Sequence, residues 1–362
     1  MKIGIDVSSV VYGTGVSVYT ENLVRNLLLV DKENDYVLFG GSLRRAGELR
    51  EFVNSLGGRS MQGKIFPIAP TLADLIWNKL HIVPIELFTG KVDVFHSSDW
   101  AQPPTGAFKV TTVHDLSPIK FPRVTHPKIV SAHKARLTWV KKVVDRVIVP
   151  ASATNDDLVA YGISQERIRV IPEAPSPIFK VAKKEEIERL KKKYKISGKY
   201  LLAVGINPRK NTQRIIEAFD FVKAGEDLKL VLVGEPSFLE IKEQRDVRIV
   251  DHVPSQMMPV FYSGAEALVY PSIYEGFGLP ILEAFACGCP VVVSNTSSMP
   301  EVAGDSAVMV DPYDVNSIVD GIKTVLKARK VFVKKGSSRV KKYSWMKTAL
   351  ETLKVYEEAY KK

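Results

Sequence analysis

The stretch of sequence that decides the fold, residues 271–290, reads PSIYEGFGLPILEAFACGCP. Apolar runs at 267–270 and 291–293 lie on either side of it and predict two buried strands, so we expect a short helix between them. Pro280 suits the first turn of that helix, because proline already has the helical φ and has no N–H to lose there. Gly288 suits its end, where a left-handed residue is usual. The stretch therefore predicts a strand, a turn, a helix and a second strand in succession.

The predicted turn leads into the N-terminus of the helix and consists of Gly276, Phe277, Gly278 and Leu279. Free N–H groups and the helix dipole attract an anion at such a place, and glycines let a ligand approach the backbone. Glu275 and Glu283 flank the turn with seven residues between them, and such a pair suits sugar hydroxyls. Each feature alone also fits a strand-turn-helix connection without a ligand, in which Glu275 is solvated and Glu283 only stabilises the helix. The agreement of all the parts favours a phosphate and sugar site.

The string from Glu275 to Glu283, followed by Ala284-Phe285-Ala286 and Gly288, resembles the E-x7-E signature of a known enzyme family. That family is family 4 of the retaining, nucleotide-sugar-dependent glycosyltransferases, which have the GT-B fold. The resemblance implies an α/β protein with two Rossmann-like, doubly wound parallel-sheet domains facing a cleft. It also implies a C-terminal helix that crosses back to the first domain. The signature is specific for the family and not for the sugar.

The composition is that of an ordinary globular protein. The chain has 362 residues, enough for two domains, with 45% hydrophobic and 25% charged residues. Its formal net charge of +11 favours anionic partners: nucleic acid, an anionic membrane surface or a phosphorylated substrate. Because no nucleic-acid motif is visible, we predict no nucleic-acid partner. Cys287 and Cys289 lack the partners of a zinc site and are expected to be buried thiols.

No signal peptide is apparent at the start of the sequence, because Met1 and Lys2 run directly into a strand-like segment. No apolar stretch approaches the ~20 residues of a membrane span. We therefore predict a soluble, cytoplasmic protein. Any membrane contact would be peripheral, on the inner face of the membrane.

Strand-like apolar runs alternate with helical patterns along the whole chain, as expected of parallel sheets with crossover helices. In the first half, strands are predicted at 2–6, 36–39, 64–68, 92–96, 110–113 and 146–149, and residues 170–172 end this half. In the second half, strands are predicted at 200–204, 230–233, 247–250, 267–270, 291–293 and 307–310. With the resemblance, these patterns assign residues 1–172 to an acceptor-side domain, 173–198 to a linker and surface helix, 199–343 to a nucleotide-sugar-binding domain and 344–362 to the crossover helix. The last helix carries a predicted apolar stripe of Met346, Leu350, Leu353, Tyr356 and Tyr360.

A glycine turn follows the first predicted strand, and such turns often lie against a phosphate or a sugar. Gly13 and Gly15 are its glycines, and a helix with an apolar stripe begins there. In the family that the chain resembles, the matching loop faces the donor across the cleft, which makes Gly15 a candidate donor contact. Ser17 stands where many family members have a second glycine.

Two adjacent cations, Arg209 and Lys210, follow the first strand of the second half. Ligands bind at the carboxyl ends of such strands, and these cations could neutralise a diphosphate leaving group as the sugar bond breaks. An exposed basic loop is the alternative for this pair alone. The resemblance matches Lys210 directly. It matches Arg209 only as a displaced substitute, because Ile206 occupies the place where the family commonly has arginine.

His114 ends a predicted strand of the first half, where a catalytic or orienting histidine could lie. A histidine bonded to a loop backbone is the alternative. By resemblance, His114 lies close to the transferred sugar, Glu275 contacts the hexose and Glu283 binds the ribose hydroxyls. The backbone near His252 and Val253 would meet the nucleotide base. The resemblance implies no cofactor beyond the nucleotide sugar, and no metal.

Six basic residues occupy positions 127–146, namely Lys128, Lys134, Arg136, Lys141, Lys142 and Arg146. Ile129, Leu137, Val140 and Val144 are interleaved with them, and a basic amphipathic helix can lie on an anionic membrane. The alternative is a solvated helix face. Some members of the resembling family act on lipid-linked acceptors, which connects this helix with a membrane.

Together with the resemblance, which implies retention and no required metal, these features predict a hexosyltransferase of polysaccharide biosynthesis. It would move a hexose, with a leaning towards mannose, from a nucleotide-diphosphate sugar to a glycan or lipid-linked acceptor. Three alternatives stay open: a nucleotide-sugar epimerase of the same fold, a glycogen-type or disaccharide synthase, which is also a transferase, and a non-catalytic protein that binds an anion. The sequence does not identify the sugar, the base or the acceptor.

Overall fold

The computed structural model describes residues 1–57, 60–223, 227–241, 244–251 and 253–361. The chain divides into two compact units, one of Met1–Glu173 with Ser344–Lys362, the other of Ala174–Tyr343. Residues 174–198, assigned above to a linker and surface helix, therefore lie in the second unit. The second unit is a continuous segment, and the first unit takes its last helix from the end of the chain.

The first unit is built on a seven-stranded sheet in the order β3-β2-β1-β4-β5-β6-β7. Its strands are β1 Lys2–Asp6, β2 Asp35–Gly41, β3 Met61–Phe66, β4 Val94–Ser97, β5 Phe108–Thr112, β6 Arg146–Val149 and β7 Ile168–Val170. All neighbouring strands are parallel. The strand order reverses direction beside β1, between β1 and β4, which is the place where doubly wound sheets bind ligands.

The second unit has a six-stranded parallel sheet in the order β10-β9-β8-β11-β12-β13. Its strands are β8 Lys199–Ile206, β9 Leu228–Pro236, β10 Val247–Val250, β11 Ala267–Tyr270, β12 Val291–Ser294 and β13 Val308–Val310. The switch point lies between β8 and β11, so the loops after these two strands share one edge of the sheet. The predicted Rossmann-like architecture of both halves is confirmed, with β7 as an additional edge strand in the first.

Helices cover the sheets of both units. Those of the first unit are α1 Gly15–Val30, α2 Ala46–Leu56, α3 Pro70–Ala73, α4 Glu86–Thr89, α5 Ser117–Lys120, α6 Pro127–Val143, α7 Ser152–Ala160 and α15 Trp345–Glu357, with a π-helix over Asp74–Lys79. Those of the second unit are α8 Lys184–Tyr194, α9 Thr212–Val222, α10 Met258–Gly264, α11 Leu279–Ala286, α12 Met299–Ala303, α13 Val315–Lys327 and α14 Arg329–Val340. Within the described residues, no helix is both long and apolar enough to cross a membrane.

The last helix, α15, packs on α1 in the first unit, as predicted. The predicted apolar stripe is wrong in part, because only Tyr356 of its five residues is fully buried. Met346 and Leu350 are 50% and 44% exposed. The buried face consists instead of Trp345, Thr348, Ala349, Thr352, Val355 and Tyr356. Buried threonines are tolerated because their hydroxyls donate to main-chain carbonyls, that of Thr352 to Thr348 at 2.8 Å.

The basic helix α6 also differs from its prediction. Leu137, Val140 and Val144 belong to a buried core cluster, so the apolar side of the helix is not available to a membrane. Arg136 is fully buried and donates to Asp99 at 2.7 Å. Lys128, Lys134, Lys141 and Lys142 are exposed. The helix therefore presents lysines without its own apolar stripe.

Candidate functional site

The turn before α11 has the geometry that the sequence predicts. Gly278 has φ +100°, and a Cβ added there would lie 3.1 Å from the side chain of Ile281, so this left-handed position requires glycine. Pro280 lies in the first turn of α11, and Gly288, just past its end, is left-handed with φ +70°. The predicted strand, turn, helix and strand are confirmed.

Serine hydroxyls hold the backbone of this turn in place. Ser297 donates to the carbonyl of Glu275 at 2.6 Å, and Ser298 donates to that of Phe277 at 2.8 Å. These bonds satisfy carbonyls in a segment that is largely buried. They fix the chain before α11, so its first N–H groups have a defined direction. No periodic pattern in the sequence pointed to these serines.

Glu275 forms ion pairs with both predicted phosphate-binding cations. Its Oε1 lies 2.7 Å from Lys210 Nζ, and its Oε2 lies 3.1 Å from Arg209 Nη1. Burial alone would raise the pKa of this carboxyl, but Lys210 and then Arg209 lower the pKa of Glu275 to about 2. The carboxylate is therefore ionised at neutral pH and compensates part of the charge of the two cations.

The positions of both cations follow from the loop after β8. Pro208–Lys210 form a 3₁₀ turn, and the side chain of Asn207 accepts a hydrogen bond from the Lys210 amide at 3.0 Å. Gly205, with φ +83°, leaves room for the Lys210 side chain, because a Cβ there would lie 3.1 Å from it. Lys210 also contacts the hydroxyl of Tyr270, and Arg209 donates to the carbonyl of Tyr274 at 2.6 Å.

Glu283 has different surroundings. It lies in α11, and the hydroxyl of Tyr262 donates to its Oε2 at 2.8 Å. Burial raises the pKa of Glu283 to about 7, against the lowering effects of the Tyr262 hydrogen bond and the charge of Lys210. This carboxyl therefore titrates near neutral pH. A ligand that donates hydrogen bonds to it would favour its ionised form.

His114 follows β5 in the first unit and is held by a residue that the sequence had placed in the linker. Glu173 Oε1 lies 2.8 Å from His114 Nδ1, and the ring of Tyr19 meets the imidazole edge-on with centroids 4.6 Å apart. Burial lowers the pKa of His114, but Glu173 outweighs this effect and the pKa is raised. The pairing fixes the orientation of the ring through Nδ1.

Gly15 and Val253 have fewer distinguishing contacts. Gly15 is exposed at the start of α1, and a Cβ added there would have no neighbour within 4 Å. The predicted second glycine position, Ser17, is instead part of a capping box with Thr14. Val253 is half-buried after β10, and residue 252 lies outside the described residues.

The first unit also contains a cavity of about 710 Å³. It lies beside Asp6 and Ser98, which end and follow β1 and β4, so it occupies the switch point of the sheet. Trp77 and Trp100 contribute aromatic walls, and Lys128 of α6 lines it as well. Carboxylate, hydroxyl and aromatic groups in one concave site are the combination that binds small polar ligands.

The structure thus brings Arg209, Lys210 and Glu275 together, with Glu283 close enough to feel the charge of Lys210. Gly15 and His114 lie in the other unit. Cys287 and Cys289 are free and buried, as predicted. In the part of the chain that the structure describes, no group of three or more His, Cys, Asp or Glu side chains could hold a metal ion.

Two known families match consecutive parts of the chain. Residues 13–174 match the family described as Glycosyltransferase Family 4, and residues 184–343 match Glycosyl transferases group 1. The first match covers β2 to β7 of the first unit, and the second match covers all six strands of the second unit's sheet. The signature of Glu275 and Glu283 falls in the second match.

Individual proteins show the same similarity. The chain is 29% identical over 288 residues to O-antigen chain mannosyltransferase B of Escherichia coli, covering 73% of this chain and 74% of that protein. It is 27% identical over 228 residues to serotype-specific mannosyltransferase WbdA of Escherichia coli, covering 58% of this chain but only 28% of that protein. Among solved structures, Anabaena HepE in complex with UDP and glucose has a TM-score of 0.71 at 15% identity, covering 99% of this chain and 100% of that one.

Proposed function

The chain belongs to the nucleotide-sugar glycosyltransferases of family 4 and has the GT-B fold, and we propose that it transfers a hexose, with mannose as the first choice, from a nucleoside-diphosphate sugar to a glycan or lipid-linked acceptor. The mannosyltransferase relatives support the choice of sugar. None of the proteins described above supports the epimerase or the non-catalytic binding protein that the sequence left open.

The observation that carries the proposal is the cluster of Arg209, Lys210 and Glu275 beside the N-terminus of α11. Helix N–H groups and two cations form a site for a diphosphate. Without a donor, Glu275 pairs with both cations and compensates part of their charge. A bound diphosphate would compete with Glu275 for Lys210 and Arg209. The freed carboxylate of Glu275 could then accept a hydrogen bond from a hydroxyl of the hexose.

Glu283 is proposed to accept hydrogen bonds from the ribose hydroxyls. Its carboxyl is already paired with Tyr262 and lies near Lys210, so ribose and diphosphate would be held by neighbouring groups. Negative charge grows on the diphosphate as the sugar bond breaks, and Lys210 would stabilise that charge most strongly in the transition state. The residues of the chain would thus bind the donor and assist departure of its leaving group.

On the first unit, His114 held by Glu173 is the candidate contact for the transferred sugar, and Gly15 is a candidate donor contact. The cavity beside Asp6 and Ser98 is the candidate acceptor site. Retention of the anomeric configuration and independence of metal ions are part of the proposal. Peripheral association with an anionic membrane also belongs to it, because the exposed lysines of α6 would meet such a surface.

A donor screen tests the proposal. Nucleoside-diphosphate sugars are added singly, and the one that binds the folded state most tightly raises the melting temperature most. Incubation of that donor with glycan acceptors, followed by NMR of the product, reports the linkage and its anomeric configuration. Full activity in the presence of a chelator is expected. No stabilisation by any nucleotide sugar would refute the donor site, and an inverted product would refute retention alone.

A further inference from the structure

Residues 70–83 of the first unit, here called the 70–83 segment, expose an unusual set of aliphatic side chains. Leu72, Leu75, Leu80 and Ile82 are 48%, 44%, 54% and 50% exposed. Single exposed apolar residues are common on protein surfaces, but several in one short segment mark an interaction surface. None of them takes part in the donor site described above.

The backbone holds this segment in a strained conformation that keeps Ile82 at the surface. His81 and Val83, on either side of it, have positive φ values of 52° and 65°, which are costly for residues other than glycine and most of all for a β-branched valine. Trp77 Nε1 donates to the Val83 carbonyl at 3.0 Å, and His81 Nδ1 lies 3.0 Å from the Trp77 carbonyl. The exposure is therefore built into the fold.

The 70–83 segment contacts α6 through Trp139, next to the exposed Lys142. The ring of His81 stacks on Trp139 with centroids 3.8 Å apart, and Lys142 Nζ lies 5.0 Å from the centre of the same indole. Trp139 Nε1 also donates to the Asn78 carbonyl at 2.7 Å. These contacts place the 70–83 segment beside Lys142, and Lys128, Lys134 and Lys141 are further exposed lysines along α6.

Acidic side chains do not cancel the positive charge of this surface. Helix α6 contains no Asp or Glu between Pro127 and Val144. In the 70–83 segment, Asp74 pairs with Lys79 at 3.4 Å. Glu86, the next acidic residue, accepts hydrogen bonds from Thr105 and from the Gly106 amide. Lys128, Lys134, Lys141 and Lys142 therefore set the sign of the charge.

We propose that the 70–83 segment and the exposed lysines of α6 form a membrane-docking surface that inserts Leu80, Ile82 and their aliphatic neighbours into an anionic phospholipid bilayer. Aliphatic side chains surrounded by lysines match the acyl chains and anionic headgroups of such a bilayer. Protein-binding hot spots are enriched in Trp, Tyr and Arg instead. The apolar contribution comes from the 70–83 segment, because α6 buries its own apolar side.

This inference rests on the proposed function, because docking on a membrane would bring the protein to a lipid-linked acceptor. The cavity at the switch point is lined by Trp77 and Lys79 from the 70–83 segment, and by Lys128 from α6. Docking would place that cavity at the bilayer surface. The glycan of a lipid-linked acceptor could then enter the cavity while its lipid stays in the membrane.

Vesicle cosedimentation of the full chain tests the surface. Vesicles of phosphatidylcholine with phosphatidylglycerol are compared with pure phosphatidylcholine, at low and high salt. Leu80→Gln/Ile82→Gln is expected to weaken binding roughly tenfold at either salt, because it removes buried apolar area. Lys134→Glu/Lys141→Glu/Lys142→Glu should weaken it roughly tenfold or more at low salt, because charge attraction is screened by ions.

Two control variants match these changes elsewhere. Leu29→Gln/Leu43→Gln replaces two leucines that are 59% and 58% exposed, and Lys330→Glu/Lys334→Glu/Lys341→Glu reverses three exposed charges in α14 and at its C-terminal end. Both should bind vesicles like the wild type. Failure of the wild type to sediment with anionic vesicles at low salt would overturn the proposal, as would equal losses in test and control variants. Donor-induced thermal shifts, measured on the same samples, report the proposed function separately and should not change.

Discussion

Glu275 and Glu283 are glutamates of the same motif, but the fold shifts their pKa values in opposite directions. Glu275 lies against Lys210 and Arg209, and its pKa is lowered to about 2. Glu283 is half-buried beside Tyr262, and burial raises its pKa to about 7. The first is a permanent anion that can release cations to a phosphate. The carboxyl of Glu283 ionises near neutral pH, where a bound ligand can change its protonation state.

The two carboxyls therefore affect stability at different pH values. For Glu275, a folded pKa below the ordinary 4.5 means a stabilising contribution above about pH 4.5 that is lost as the pH falls towards 2. For Glu283, the raised pKa means that the unfolded state ionises first. Its carboxyl therefore lowers stability as the pH rises from 4.5 through 7. Only the change in stability caused by Glu283 falls near neutral pH, where the proposed donor site would bind its ligand.

Lys210→Ala should give the largest effect, because it removes the main cation of Glu275 and of the proposed diphosphate. We expect turnover at saturating donor to fall roughly 100-fold, with a smaller change in donor affinity. Steady-state kinetics over a range of donor concentrations measure both. Lys335→Ala, which removes a cation paired with the exposed Asp305, should turn over like the wild type. Wild-type turnover in Lys210→Ala would exclude the proposed role.

Glu283→Ala should weaken donor binding by about 1.5–3 kcal/mol, because it removes a charged hydrogen-bond acceptor. Calorimetric titration with the donor found in the screen measures this difference. Without donor, the variant should melt no earlier than the wild type at pH 8, where the ionised carboxylate is unfavourable. Glu217→Ala, an exposed position on α9, is the matched control. Unchanged affinity in folded Glu283→Ala would remove this residue from the site.

Tyr262→Phe should have the smallest effect. It removes the hydrogen bond that favours the ionised form of Glu283, a contribution of about 1 kcal/mol. The pKa of Glu283 should rise, so the pH at which donor affinity reaches half its maximum should also rise. Tyr313→Phe, at a residue that is 59% exposed, should leave that pH unchanged. A shift to lower pH would contradict the described pairing.

The sequence predicted the sheets and the turn before α11 because these depend on local patterns. Apolar runs predict strands, Gly278 predicts a left-handed turn and Pro280 predicts the first turn of a helix, each from local sequence alone. Contacts between distant positions left no such pattern: Glu173 meets His114 from 59 positions away. The position of Glu173, after an apolar run that ends in proline, could have marked it as a candidate site residue. No periodic pattern would have paired it with His114.

Periodicity failed where polar side chains are buried or apolar ones are exposed. In α15, Thr348 and Thr352 satisfy their hydroxyls through the backbone and occupy the buried face, so the apolar stripe drawn through Met346 was misplaced. In α6, Arg136 is buried because Asp99 pairs with it. The exposure of Ile82 depends on the strained backbone on either side, which the composition of that segment does not reveal.

The most direct test of the contrast between the two glutamates is the number of protons exchanged on donor binding. Calorimetric titrations at pH 7 in buffers of different ionisation enthalpy give this number for the wild type and for Glu283→Gln. Because ribose hydroxyls would favour the ionised carboxylate, the wild type should release a fraction of a proton, and Glu283→Gln should release less. Equal proton release in the two proteins would contradict the assignment of Glu283 as the ionising group of the donor site.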